Sequence, residues 1–176
     1  MRIPAATDAP RLHRLVHQSP PLDMNSVYCN LLQCTHFSQT AIAAECDGEL
    51  VGFVSGYIIP SRQDTLFIWQ VAIRTSARGQ GLATRMLSAI LARPVCAEIR
   101  WLETTVTESN TASRALFEGL AKKHATQLNA EILFDKIQHF AGDHESEWLL
   151  RIGPIPSQLA GSSYLLSARQ TSAKAN

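Results

Sequence analysis

The sequence predicts an α/β (α+β) fold, a mixed and mostly antiparallel central sheet flanked by helices. Three observations carry this. Two β-rich apolar runs, residues 40–46 and 50–59, meet at Asp47-Gly48, a strong hairpin signal. Residues 66–73 form a nearly continuous apolar run, the pattern of a central strand buried on both faces. A glycine loop then opens a helix-spaced stretch, after which strand and helix patterns alternate.

In chain order, Leu12, Leu15 and Val16 recur at helical spacing within residues 8–18, with Thr7 or Asp8 as N-cap, Pro10 in the first turn and Pro20-Pro21 as the stop. A second helix is expected across residues 21–32, capped by Asp23 or Asn25. The hairpin follows, then a turn at residues 61–64 and the central strand. Leu82, Met86, Leu87, Ile90 and Leu91 make the apolar stripe of a helix that Pro94 stops. Residues 98–106 read as a strand and 109–124 as a helix with Ala112, Ala115, Leu116 and Leu120 on one side. Residues 131–140 and 147–152 read as closing strands. From Pro156 the chain turns to Ser, Ala, Gln and Lys without periodicity, so residues 1–155 are expected to form one domain and 156–176 a flexible tail.

Composition narrows the function. A chain of 176 residues with 45% apolar and 18% charged residues can bury a core, which excludes disorder throughout. A formal charge of +1 lacks the basic footprint that nucleic acid or an anionic membrane surface requires. No apolar run approaches the roughly 20 residues that span a bilayer. Met1-Arg2-Ile3-Pro4 does not begin a secretory signal, so the expected address is cytoplasmic. Cys29, Cys34, Cys46 and Cys96 show no paired C-x-x-C spacing and read as reduced packing residues.

The chemistry is concentrated in Arg78-Gly79-Gln80-Gly81-Leu82-Ala83. Its glycines let the backbone turn tightly, and N–H groups at the start of the next helix suit a phosphate. No Gly-Lys-Ser/Thr follows, and the third glycine of a dinucleotide fingerprint is missing. Following a strand that ends at Ile73, the segment resembles the R/Q-x-x-G-x-G/A motif of the GNAT acetyltransferases, met by Arg78, Gly81 and Ala83. That resemblance implies acetyl-CoA as co-substrate. Its pyrophosphate would lie against Arg78, Gly79, Gln80, Gly81, Leu82 and Ala83, and its pantetheine and thioester along the backbone of Val71 and Ile73. Asn110, opening a helix, and Phe117 complete the implied cofactor set. Phe117 falls where many family members carry a Tyr that protonates the departing thiolate, and a phenyl ring has no proton to give.

Three further stretches, residues 20–26, 66–72 and 139–147, resemble the diaminobutyrate acetyltransferase branch of that family, a similarity covering about residues 2–155. It implies acetyl transfer to the γ-amine of L-2,4-diaminobutyrate in ectoine biosynthesis, with no metal, and a homodimer formed through the closing strands. An acceptor with two ammonium groups and a carboxylate needs acids and hydrogen-bonding groups, which Asp23, Asn25, Tyr28, Trp69, His144 and Glu147 supply. In this reading Glu147 takes the amine proton while His144 orients the partners, with His144 as base the immediate alternative. Val71 N–H holds the oxyanion, and Tyr28 or a water protonates the thiolate, unless the thiolate departs unaided.

Each residue has a plainer alternative: Asp23 as an N-cap, Trp69 as core, His144 and Glu147 as a surface ion pair. His139, His144 and Glu147 match no defensible zinc motif. Two other functions stay open: a GNAT enzyme for another small amine, such as a polyamine or an aminoglycoside, and an acetyl-CoA-binding module without catalysis.

Overall fold

The computed structural model describes residues 1–20 and 22–156. Of the expected tail, residues 157–176 lie outside the described residues. Helices α1 (Ala9–His17) and α2 (Val27–Thr35) precede the hairpin strands β1 (Ile42–Cys46) and β2 (Glu49–Ile59) and the long strand β3 (Arg62–Ile73). Helix α3 (Leu82–Leu91) leads to β4 (Trp101–Thr107), α4 (Thr111–Lys123) to β5 (Gln127–Phe134), and the short α5 (Lys136–Phe140) to β6 (Glu147–Gly153).

The strands form one sheet in the order β1-β2-β3-β4-β6-β5, antiparallel except where β3 meets β4. A parallel pair needs a crossover, and α3 provides it. Apolar spacing decides which helix face meets the sheet. Leu12, Leu15 and Val16 of α1 close one core with Leu50, Phe53 and Ala72. Met86, Leu87 and Ile90 of α3, with Phe117 and Leu120 of α4, close the other against Ile68, Leu102, Leu150 and Ile152. The sheet therefore lies between two helical layers.

Several expectations are corrected. Helix α2 starts later than expected and is capped by Ser26, whose Oγ accepts from Cys29 N at 3.1 Å; this releases Asp23 and Asn25 from capping. The turn after β2 is reduced to Pro60-Ser61, because Ile59 already pairs with Arg62. The expected strand over residues 131–140 is instead β5 followed by α5, where Asp135 Oδ1 accepts from Ile137 N and Gln138 N at 2.8 and 3.0 Å. Strand β3 is central, but it is not buried on both faces throughout: Trp69 is 43% exposed.

Two irregularities in β3 build the site. Ser55 pairs with Gln70 and Gly56 with Ile68, which leaves Trp69 as an extra, bulged residue. Gly56 is required opposite it, since a Cβ there would collide with the Phe67 carbonyl oxygen. Upstream of the bulge, Leu66 and Ile68 face the α3/α4 layer; downstream, Ala72 faces the α1/α2 layer. Strands β3 and β4 pair only from Thr65/Trp101 to Phe67/Glu103 and then diverge. At the fork, the Thr104 hydroxyl donates to the Ile68 carbonyl at 3.0 Å in place of the lost ladder bond. Below it, Arg62 donates to both oxygens of buried Glu103 at 2.5 and 2.7 Å, tying β3 to β4.

Candidate active site

The fork exposes backbone. Arg74 N donates to Val51 O at 2.9 Å, so Val51 and Arg74 form a hydrogen-bonded antiparallel pair. Such pairs alternate with pairs whose N–H and C=O groups point away from the partner strand. The register Gly52/Ile73 and Val54/Val71 therefore turns the polar backbone groups of Val71 and Ile73 away from β2, toward the gap that β4 has left. Arg78 Nε donates to Ile73 O at 3.0 Å from that side.

A cavity of about 290 Å³ occupies this gap. Val71 and Ile73 line it, as do Arg78, Gly79, Gly81, Leu82, Ala83 and Asn110. Gly79 and Gly81 have φ of 73° and 68°, left-handed values that favour glycine, and Gly81 is the N-cap of α3. The first N–H groups of α3 have no intrahelical acceptor and form an anion seat. Asn110 Oδ1 caps α4 by accepting from Ser113 N at 3.1 Å, which leaves its NH₂ for a ligand.

Two members of the expected cofactor set do not reach the cavity. Gln80 turns away, its Nε2 donating to Ser76 O at 3.2 Å. Phe117 is 1% exposed within the core, and its neighbour Leu116 lines the cavity instead. Residues 116 and 117 are about 100° apart around a helix, so they cannot share a face. Ser19, Pro20 and Leu22 also line the cavity, a contribution that sequence reasoning missed. They belong to no periodic pattern that would have marked them.

Asp23, His144 and Glu147 converge although Asp23 lies far from the other two in sequence. His144 Nε2 lies 3.3 Å from Asp23 Oδ2 and 3.9 Å from Glu147 Oε1. One ligand atom from each residue falls within 4.8 Å of the other two. His139 is not in the group; its Nδ1 accepts from Asp135 N at 2.8 Å. His144 is held by its other nitrogen, 2.7 Å from the Glu145 carbonyl. A carbonyl only accepts, so Nδ1 carries the proton and Nε2 is the titrating atom. Glu145 is fixed in turn by Ser109, whose hydroxyl donates to it at 2.7 Å, beside the cavity residue Asn110.

The electrostatics follow from this packing. The Glu145 carbonyl and the two neighbouring carboxylates hold the His144 imidazole above its ordinary range, against the opposing effect of burial. Burial pushes Glu147 above the usual carboxylate range, outweighing the Thr105 hydroxyl and His144, which pull it down. Glu147 Oε2 is enclosed and meets no hydrogen-bond partner of acceptable geometry among the described residues. A partly desolvated carboxylate of this kind favours taking up a proton. Three acceptor atoms within 4.8 Å of one another, His144 Nε2 among them when the imidazole is neutral, also match the three N–H donors of an alkylammonium.

The remaining expected acceptor residues are placed differently from one another. Trp69 presents a half-exposed ring from the bulge, its edge packed by Phe37 and Tyr57 at centroid distances of 6.0 and 6.4 Å. Tyr28 stands on the first turn of α2 and is 70% exposed. Asn25 turns its amide inward, Nδ2 donating to Gln70 Oε1 at 2.6 Å. The aromatic wall of Phe37, Tyr57 and Phe67 beside Trp69 was not anticipated, because its members come from separate elements.

Comparison with known proteins identifies the family and fold. A model of the acetyltransferase (GNAT) family matches residues 10–121. The chain is 62% identical over 152 residues to an L-2,4-diaminobutyric acid acetyltransferase of Methylotuvimicrobium alcaliphilum, covering 86% of this chain and 88% of that protein. It is 47% identical over 151 residues to the enzyme of that name from Vibrio parahaemolyticus, covering 86% and 83%. The diaminobutyrate acetyltransferase of Paenibacillus lautus, solved in complex with its substrate L-2,4-diaminobutyric acid and coenzyme A, superposes with a TM-score of 0.84. Its identity is 39%, and the match covers 88% of this chain and 93% of that one.

Proposed function

The chain belongs to the acetyltransferase (GNAT) family, and from that premise we propose that it moves the acetyl group of acetyl-CoA onto the γ-amine of L-2,4-diaminobutyrate. It is an acetyl-CoA-dependent N-acetyltransferase with diaminobutyrate as acceptor. The observation that carries the residue assignments is a cavity against the exposed backbone of β3 in the same chain as a convergent group of three polar side chains. Val71, Ile73, Arg78 and the start of α3 line the cavity, and Asp23, His144 and Glu147 bring one ligand atom each within 4.8 Å of one another.

Asp23, His144 and Glu147 receive the ammonium through its three N–H groups. With a reference pKa of about 10.4, an alkylammonium is almost wholly protonated at neutral pH and cannot attack. Glu147 takes its proton, favoured by the burial that raises its affinity for one. His144 orients both partners. The freed nitrogen bonds to the thioester carbon, and Val71 N–H, turned into the cavity, holds the oxyanion of the tetrahedral intermediate. The nitrogen gives up its second proton to water as the C–S bond breaks, and the thiolate takes a proton from Tyr28 or a water, or leaves unprotonated, since a thiol pKa of about 8.5 tolerates that. Phe117 has no part in this step, being a core residue. Trp69 packs against the acceptor's methylenes.

We assign the enzyme to the cytoplasm as a homodimer. Among the described residues, no helix is long and apolar enough to cross a membrane. Cys29, Cys34, Cys46 and Cys96 carry free thiols, in keeping with a reducing compartment. Edge strand β5 leaves Ile132, Leu133 and Phe134 exposed, a surface suited to pairing between copies. Light scattering on the purified chain is expected to give twice the chain mass.

The decisive experiment is CoA release with acetyl-CoA and L-2,4-diaminobutyrate, followed by NMR of the product. Acetyl on the γ nitrogen is the expected result. Acetyl on the α nitrogen, or faster turnover of putrescine or ornithine, overturns the assignment.

A further inference from the structure

Asp23 reaches the acceptor group from the segment between α1 and α2, just after Leu22, which packs on the α1 core. Its side chain is 81% exposed, and its polar partner is His144 across the site. Helix α2 begins only at Val27, and Ser26 rather than Asp23 or Asn25 serves as its cap. What fixes the approach to α2 is Asn25. Its Nδ2 donates to Gln70 Oε1 at 2.6 Å, and its carbonyl lies 3.1 Å from His13 Nδ1, which must therefore donate. Asn25 is two residues from Asp23, so its position limits where the carboxylate can stand.

Gln70 is 6% exposed and lies between Trp69, the bulged residue, and Val71, whose N–H faces the thioester position. Its side chain points to the α1/α2 layer because the bulge reverses the alternation of β3. In a strand without a bulge, residues two apart share a face, so the bulge is what separates Gln70 from Ile68. The wider seam is polar as well. Ser55, on the paired strand, donates to Gln33 Oε1 of α2 at 2.8 Å, and Asn30 is fully buried beside His13. An apolar seam would let α2 slide along the sheet, whereas directional bonds set its register.

We propose that Gln70 is a positioning residue for the acceptor: through Asn25 it sets the place of Asp23 relative to His144 and Glu147, and so ties acceptor recognition to the strand that holds the thioester. This rests on the acceptor assignment made above.

The test is steady-state kinetics with both substrates on the full chain. Gln70→Leu and Asn25→Ala are each expected to raise the KM for diaminobutyrate about tenfold, the scale of one well-made buried hydrogen bond and its unpaired partner, with the KM for acetyl-CoA unchanged. The double variant is expected to be no worse than either single one. Asn25→Asp keeps the bond with donor and acceptor exchanged, as the Gln70 amide turns over, and is expected to stay near the wild-type KM. An unchanged diaminobutyrate KM in both folded single variants overturns the proposal. So do parallel rises in both KM values with a lowered Tm, which indicate a merely structural role. If Gln70→Leu does not fold, Asn25→Ala against Asn25→Asp decides alone. Failure of the wild-type chain to acetylate diaminobutyrate overturns the functional reading and this proposal together, whereas normal wild-type turnover with insensitive variants overturns only the proposal.

Discussion

Glu147 is largely enclosed and has a raised proton affinity, and its Oε2 meets no hydrogen-bond partner of acceptable geometry among the described residues, so it weakens the fold at the place proposed for the proton acceptor. A carboxyl whose folded pKa lies above its unfolded value makes the folded state bind more protons, so stability declines as pH rises through the window between the two values. Glu147→Gln removes that charge. The variant is expected to show a higher Tm at neutral pH and a kcat lower by about 10²-fold or more, the usual contribution of a general base. Thermal melts and saturating-substrate rates on the same preparation check both halves; a lower Tm with unchanged kcat would return Glu147 to an ordinary ion pair. The group was legible in the sequence only in outline. His144 and Glu147 are three residues apart, which suggests a shared helical face, yet His144 sits in a loop and Glu147 begins β6. Asp23 joins them through tertiary folding, which no local pattern encodes.

At the level of elements, periodicity and turn chemistry were the reliable guides. The Asp47-Gly48 hairpin and the apolar stripe of α3 stand where the sequence predicts them. The glycine loop before α3 makes a sharp prediction. Gly81→Ala forces a Cβ into a left-handed backbone at a cost of roughly 1–2 kcal/mol. With no neighbouring backbone in the way, that strain is relieved by moving the loop. The expected result is a raised KM for acetyl-CoA with the KM for diaminobutyrate unchanged, measured by varying each substrate in turn. Two signals were present but outweighed. Phe117, Leu120 and Ala121 follow the spacing of a buried helical stripe, which identifies Phe117 as core rather than cofactor wall. Asp135, with Gln138 three residues on, is a helix-start pattern, and the preceding apolar run of β5 masked it.

For the whole molecule, the first strand is fastened to α1 by charge. Arg2 donates to Asp8 at 2.7 Å and to Glu45 at 3.0 Å, and Arg11 reaches Glu45 at 2.6 Å. These bonds hold Asp8 below its ordinary value and bring Glu45 down to about 2. A lowered folded pKa gives stability that is present above the unfolded value and is lost as pH falls through the folded one. Stability is therefore expected to decline as pH falls from about 4.5 toward 2. Arg2→Ala is expected to flatten that decline, as followed by chemical denaturation at a series of pH values. The layered architecture was readable because two helical faces and a hairpin leave few ways to cover a sheet. The fork was not, since the length over which β3 and β4 pair depends on contacts distant in sequence. The single additional residue at Trp69 has a consequence of another kind. It makes β3 count differently on its two halves, so that even-numbered side chains before it address one helical layer and even-numbered side chains after it the other. Deleting any one residue between Ile68 and Val71 would leave the pairs downstream unchanged and close the ladder into a regular one, removing the local bend that a bulge imposes, whereas shortening a surface turn would merely redraw a loop. In this stretch the number of residues is as binding a constraint as their identity.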